Sequence, residues 1–242
     1  MNNIKNINQK DVIIALDFPG KADVLNFLDC FPADERLFVK IGMELFYAEG
    51  PEIINLIRRR GHSIFLDLKL HDIPNTVKKT MAVLSGLDVD MVNLHASGGS
   101  AMMRAALDGF TRPDGTRALI IAVTQLTSTD GDMLKNELLI EKNMTETVLK
   151  YAENAARSGL DGVVCSPLEA MDIKKALGDK FLTVTPGIRF ASDDMKDDQK
   201  RIMTPKRAAV SGCDYIVVGR PVTQAAEPLK AYRQCRMDFM GY

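Results

Sequence analysis

The segment Asp67-Leu68-Lys69-Leu70-His71-Asp72 sets two carboxylates and an ammonium group within one short stretch. Asp67 and Lys69 are two residues apart, so on a β-strand their side chains share one face. Leu66, Leu68 and Leu70 then point to the other face. Charges on an otherwise apolar strand are costly to bury unless they pair with one another. Arrays of this kind occur at active sites, where they fix protonation states. Lys69 is the ammonium of this array. It is a compact point charge that can also transfer a proton, which arginine cannot readily do. On that ground the segment is read as a catalytic centre.

Other apolar runs carry polar groups at matching places. Asp17 ends one run, and Lys40 interrupts Phe38-Val39-Lys40-Ile41. His95 and Thr124 end two more, with Thr127 just beyond the second. Pro186 and Arg189 follow another, and Gly219 and Arg220 end the last. Gly219 permits close backbone approach, and Arg220 offers a forked donor suited to phosphate. One such residue alone would read as a solvated strand end or a structural ion pair. Gathered at one rim of one fold, they read as a site.

The elements that must position them follow from periodicity. Short apolar runs span Asp11–Asp17, Leu37–Met43, Ile64–Leu70, Met91–Ala96, Ala118–Thr124, Gly162–Ser166, Leu182–Gly187 and Tyr215–Arg220. Helical patterns lie between them at Ala22–Phe31, Glu52–Arg60, Asn75–Leu87, Ser100–Phe110, Thr145–Ser158, Glu169–Leu177, Pro205–Ser211 and Val222–Tyr232. Gly61, Gly159, Gly178 and Gly212 stand as helix stop signals. This alternation predicts an α/β protein with a parallel sheet, and eight strands close into a (β/α)₈ TIM barrel. An open doubly wound sheet would carry G-x-G-x-x-G after its first strand, where Asp17-Phe18-Pro19-Gly20 stands instead. In a barrel, function sits at the C-terminal ends of the strands, where these polar residues fall.

The chain of 242 residues fits one such domain, with a polar N-terminal extension at residues 1–10. A net charge of -1 gives no global field for nucleic acid or an anionic membrane, so anion binding must be local. No stretch approaches a membrane span, and the N-terminus lacks the apolar core of a signal peptide. Cys30, Cys165, Cys213 and Cys235 form no C-x-x-C pair and read as buried free thiols. These features point to a cytoplasmic protein. Arg58-Arg59-Arg60 reads as a solvated helix end favoured by the macrodipole. His95 reads as a hydrogen-bonded polar residue beneath the site, not as a metal ligand.

The longer strings carry a resemblance. Ala15-Leu16-Asp17, Val39-Lys40-Ile41-Gly42, Asp67 to Thr76 (DLKLHDIPNT) and Asn93-Leu94-His95-Ala96 come first. Leu126-Thr127-Ser128, Thr185-Pro186-Gly187-Ile188-Arg189 and Val218-Gly219-Arg220-Pro221 follow. In this order, and over nearly the whole chain, the sequence resembles the orotidine 5'-phosphate decarboxylase family of the bacterial type. The resemblance implies loss of CO₂ from orotidine 5'-monophosphate to give UMP in pyrimidine biosynthesis, with no cofactor and no metal. It implies a charged array of Lys40, Asp67, Lys69 and Asp72, with Lys69 donating the proton. It also implies a homodimer in which Asp72 and Thr76 serve the neighbouring subunit's site. Asp17 and Lys40 match ribose contacts, Thr127 a pyrimidine contact, and Pro186, Arg189, Gly219 and Arg220 the remaining substrate contacts. Gln199, in the charged stretch Asp193–Arg201 expected as a lid after strand seven, matches a residue bridging pyrimidine and phosphate.

Two other readings compete. Sister enzymes acting on keto-sugar phosphates share D-x-K-x-x-D but use Mg²⁺, for which Glu44 is the nearby acidic candidate. A barrel that only binds nucleotides would not need two carboxylates beside a substrate carboxylate.

Overall fold

A computed structural model describes residues 10–190 and 202–241. Eight parallel strands form a closed barrel in sequential order, with β1 pairing β8. They are β1 (Asp11–Ala15), β2 (Phe38–Gly42), β3 (Ser63–Leu70), β4 (Met91–His95), β5 (Leu119–Val123), β6 (Gly162–Val164), β7 (Leu182–Thr185) and β8 (Tyr215–Val218). The helices are α1 (Lys21–Leu28), α2 (Met43–Glu49), α3 (Glu52–Arg59), α4 (Pro74–Ser85), α5 (Gly99–Phe110) and α6 (Gly131–Asn136). They continue with α7 (Met144–Arg157), α8 (Ala170–Leu177), α9 (Pro205–Val210), α10 (Arg220–Thr223) and α11 (Pro228–Met240).

The eight expected strands are all present. Most end a residue or two earlier than the apolar runs, because the last residues of each run leave the ladder for the rim. Two helices, α2 and α6, fall where the periodicity gave none. The helix expected at Val222–Tyr232 is instead the short α10 and the longer α11. Pro228 lacks an N–H and so favours the first turn of a new helix over the interior of one. The four glycine stop signals carry φ between 79° and 85°, the left-handed geometry of a helix end. Helix α7 begins with a capping box of Asn143 and Glu146.

Period-2 alternation sorts each strand into two layers. Ile13, Phe38, Phe65, Met91, Ile121, Val184 and Tyr215 fill the barrel interior. Ile14, Val39, Leu66, Val92, Ile120 and Ile216 pack outward against the helices. Leu68 joins that outer layer, and Leu70 packs against it, as the alternation required.

The N-terminal end of the barrel is closed by a repeated device. Asp90, Asp161 and Asp214 each stand just before an even-numbered strand. Each carboxylate accepts the N–H of a residue on the preceding strand: Ile64 at 2.8 Å, Ile120 at 2.7 Å and Thr183 at 2.7 Å. Each also takes a cation: Arg58 at 2.6 Å, Arg117 at 2.5 Å and Lys174 at 2.6 Å. Arg58 is therefore not a solvated helix end. Its side chain is three-quarters buried and also bonds the carbonyls of Asp88 and His62. Contacts at this end, away from the strand C-termini, serve stability and not chemistry.

Of the expected N-terminal extension only Lys10 lies within the described residues, its ammonium 4.7 Å from the centre of the Phe239 ring. Cys165, Cys213 and Cys235 are buried thiols, whereas Cys30 is exposed, contrary to the expectation for all four. No helix among the described residues is long and apolar enough to cross a membrane.

Candidate active site

The C-terminal ends of the strands surround a cleft of about 590 Å³. Asp17, Lys40, Asp67, Lys69, Thr127, Pro186, Arg189, Gly219 and Arg220 all line it, drawn from strands or loops around most of the barrel. Inward-facing alternation explains the three that sit on strands. Lys40 follows Phe38 on β2, and Asp67 and Lys69 follow Phe65 on β3.

The floor is an alternating chain of charges. Lys40 Nζ lies 2.9 Å from Asp17 Oδ1 and 3.3 Å from Asp67 Oδ2. Lys69 Nζ lies 2.7 Å from Asp67 Oδ1. Asp67 is the hub, and its residue is only 7 % exposed. Burial opposes its ionisation, but the charges of Lys40 and Lys69 outweigh that and hold the carboxyl below its ordinary range. Burial likewise opposes the charge on Lys40, and Asp67 and Asp17 reverse it, so this ammonium sits above its ordinary range. Gly42 leaves room for the pair, since a Cβ there would stand 3.1 Å from Lys40 Nζ.

Lys69 is held in unusual backbone geometry. Its φ is 51°, in the left-handed region, and the β3–β4 register shifts between Leu66 and Leu70. A non-glycine residue there costs of order 1–3 kcal/mol and persists only where its surroundings fix it. Asn93 on β4 is part of that fixing. Its Oδ1 accepts the Lys69 N–H at 2.8 Å, and its Nδ2 donates to Asp67 Oδ1 at 2.6 Å. Asn93 has no role evident from the sequence alone. The available signal was an amide at an inward position of a strand that is otherwise apolar until His95.

Two arginines, Arg189 and Arg220, also line the cleft. Arg220 opens α10 and does not directly precede the long final helix, contrary to the expectation. Gly219 has a negative φ of -104°, so left-handed freedom is not its role, and a Cβ there would stand 3.6 Å from the Ala15 Cβ, at ordinary contact distance. Arg189 lies where the loop after β7 returns. Its N–H donates to the Met203 carbonyl at 3.1 Å, and the Met203 N–H donates to the Gly187 carbonyl at 3.0 Å. Gln199 and the charged stretch Asp193–Arg201 lie outside the described residues.

Asp72 and Thr76 do not join this cleft. Asp72 is exposed past the end of β3 and accepts the Ile73 N–H at 2.7 Å, and Thr76 is exposed in the first turn of α4. His95 and His71 stand with ring centres 5.5 Å apart, beside the lined cleft. Burial, then the charges of His71 and Lys69, lower the pKa of His95 against the pull of Asp67.

Fold and site together describe a (β/α)₈ barrel of an enzyme class, with a charged cluster lining the cleft at the strand C-termini. Residues 10–235 match the Orotidine 5'-phosphate decarboxylase / HUMPS family, and the chain belongs to that family. It is 57% identical over 235 residues to the orotidine 5'-phosphate decarboxylase of Bacillus cytotoxicus, covering 96% of this chain and 98% of the relative. The enzyme of that name from Bacillus cereus matches equally, at 57% over 235 residues. Among solved structures, orotidine 5'-phosphate decarboxylase of Lactobacillus acidophilus superposes with a TM-score of 0.84 at 42% identity, covering 95% of this chain and 99% of that one. An uncharacterized conserved protein of Geobacillus kaustophilus superposes with a TM-score of 0.83 at 48% identity, covering 95% and 100%.

Proposed function

We propose that the chain converts orotidine 5'-monophosphate to UMP and CO₂, a step of pyrimidine biosynthesis, without cofactor or metal. The observation that carries this reading is the Asp17–Lys40–Asp67–Lys69 chain in a cleft that Arg189 and Arg220 also line. The 57% identity to relatives of that name supports the substrate.

The chemistry needs what the cluster supplies. The bond from C6 to the carboxylate carbon breaks, and its electron pair stays on C6. That carbon has no adjacent electron sink, so the stabilisation must be electrostatic and preorganised. Lys69 places an ammonium for that charge and then delivers one of its protons to C6. The neutral amine regains a proton from solvent. Asp67 orients Lys69 and repels the substrate carboxylate, an effect of lesser weight than stabilising the carbanion. Arg189, Arg220 and the open backbone at Gly219 suit the phosphate, whose binding energy is then used at the reacting carbon. Asp17 and Lys40 suit ribose hydroxyls, and Thr127 the pyrimidine.

The chain works as a homodimer in this reading. Asp72 and Thr76 lie outside their own cleft, and Ile73 between them is 68% exposed, a surface that a second copy would cover. Each subunit then lends Asp72 to its neighbour's Lys69. The protein acts in the cytoplasm, on a small anionic substrate and not on nucleic acid or membrane. A metal-dependent sister activity has less support, because Glu44 is exposed on α2 and is not among the residues that line the cleft. The test is a spectrophotometric decarboxylation assay with orotidine 5'-monophosphate, with and without chelator. Turnover that chelator leaves unchanged is expected. No turnover, or turnover that collapses on chelation, would contradict the reading.

A further inference from the structure

Asn93 is the most buried polar side chain next to the cluster, at 1% exposure. It touches the residue assigned the proton transfer only through that residue's backbone. Its two bonds close a ring. The Lys69 N–H donates to Asn93 Oδ1, Asn93 Nδ2 donates to Asp67 Oδ1, and Lys69 Nζ returns to the same Asp67 oxygen at 2.7 Å. Both ends of Lys69, backbone and ammonium, are thus tied through one amide. Only one orientation of the amide satisfies both contacts. An aspartate here can accept but, when ionised, cannot donate, and a leucine can do neither. The ring spans the point where the β3–β4 register shifts and where Lys69 takes its positive φ.

We infer that Asn93 is a positioning residue for the decarboxylation proposed above: it locks the strained backbone of Lys69 and aims the Asp67 carboxylate that orients the ammonium. The inference rests on that functional reading. Positioning errors near one ångström cost about 10²-fold in rate. Substrate binding, made largely by the phosphate and ribose contacts, should move much less.

Two variants test this in the full-length protein, with kcat, KM and UMP affinity read separately. Asn93→Ala should lower kcat about 10²-fold and leave UMP affinity within about threefold. Asn93→Asp should behave differently with pH. Protonated, the introduced carboxyl offers an O–H to Asp67 and a carbonyl to the Lys69 N–H, which reproduces the amide. Ionised, it opposes the Asp67 carboxylate at close range, and two such carboxylates do not both ionise cheaply. The charged or titrating groups around position 93 are Asp67 and Lys69 from β3, Lys40 from β2 beyond Asp67, and His95 with His71 beside it. Its β5 partner Ile121 is neutral. All of these are shared with the wild type, and only the introduced carboxyl is not. The variant-to-wild-type activity ratio should therefore be highest in acid and fall as pH rises.

A flat ratio across pH, or both variants within threefold of wild-type kcat, would overturn the assignment. So would equal losses in kcat and UMP affinity. If Asn93→Ala does not fold, the near-isosteric Asn93→Asp profile decides alone. Wild-type turnover in the same assay separates this result from failure of the functional reading, since a wild type that does not decarboxylate refutes the reaction and not the ring.

Discussion

Replacing Asp67 by asparagine removes one negative charge from a cleft floor that holds two ammonium groups. The wild-type carboxylate receives Lys69 and Asn93 on Oδ1, at 2.7 Å and 2.6 Å, and Lys40 near Oδ2 at 3.3 Å. An amide at that place has one acceptor oxygen and one NH₂ group. Whichever way it turns, a donor faces a donor. Breaking a buried ion pair by removing one partner costs roughly 3–5 kcal/mol. The lower end applies, because the Lys69 side chain is 25% exposed and can reach water, while Asp17 still holds Lys40. A loss of about 3 kcal/mol in a domain of this size lowers Tm by about 6–12 °C. The catalytic loss has a separate source. Lys69 loses the oxygen that aims its ammonium, and a misplacement near one ångström costs about 10²-fold in kcat. The assay measures kcat and KM for orotidine 5'-monophosphate beside UMP affinity by titration, below the lowered Tm. We expect kcat to fall at least about 10²-fold, with UMP affinity within tenfold. A kcat within threefold of wild type would refute the reasoning. So would a loss of UMP affinity as large as the loss of rate, since the cluster would then bind substrate without driving chemistry.

Three further expectations follow from the same geometry. Arg220→Ala should lower kcat/KM for the nucleotide by about 3 kcal/mol, roughly 10²-fold, but leave the slow reaction of the unphosphorylated nucleoside unchanged, and an equal loss on both would remove Arg220 from the phosphate. Asp161→Asn strands Arg117, whose side chain is 2% exposed, and should lower Tm by about 6–20 °C with activity at 25 °C intact; a shift under about 3 °C would show the pair to be unimportant. His62 titrates at about 4 in the folded protein against 6.5 when unperturbed, chiefly through burial and then through Arg36 and Arg60. Between those values the unfolded chain binds a proton that the native chain does not, so stability falls as pH drops from 6.5 towards 4, by about 3 kcal/mol at most. Denaturant titrations across that window, compared with His62→Asn, should show a shallower pH dependence in the variant, and identical slopes would exclude His62 as the source.

The barrel was legible because its strands are short apolar runs with hard boundaries, and because Gly61, Gly159, Gly178 and Gly212 mark helix ends that only a left-handed residue makes cheaply. The cleft was legible through charge. Lys40, Asp67 and Lys69 interrupt strands that would otherwise be wholly apolar, and alternation sends all three inward. Two features were not legible. The positive φ of Lys69 depends on a register shift against β4, and pairing register is a tertiary property. The role of Asn93 depends on the same shift, which brings one amide between the backbone of Lys69 and the carboxylate of Asp67. Arg58 misled for a related reason: its partners Asp88 and Asp90 lie about thirty residues on, brought to it by the pairing of β3 with β4. The final helix was misplaced because Val222 to Tyr232 keeps an apolar period across Pro228, and the backbone obeys the proline.

The central claim is that Lys69 stabilises the carbanion and protonates it. The direct measurement is turnover of orotidine 5'-monophosphate by Lys69→Ala, together with its circular dichroism and its affinity for UMP. The expected result is a folded protein that binds UMP and releases no detectable CO₂. A folded variant with near-normal decarboxylation would contradict it.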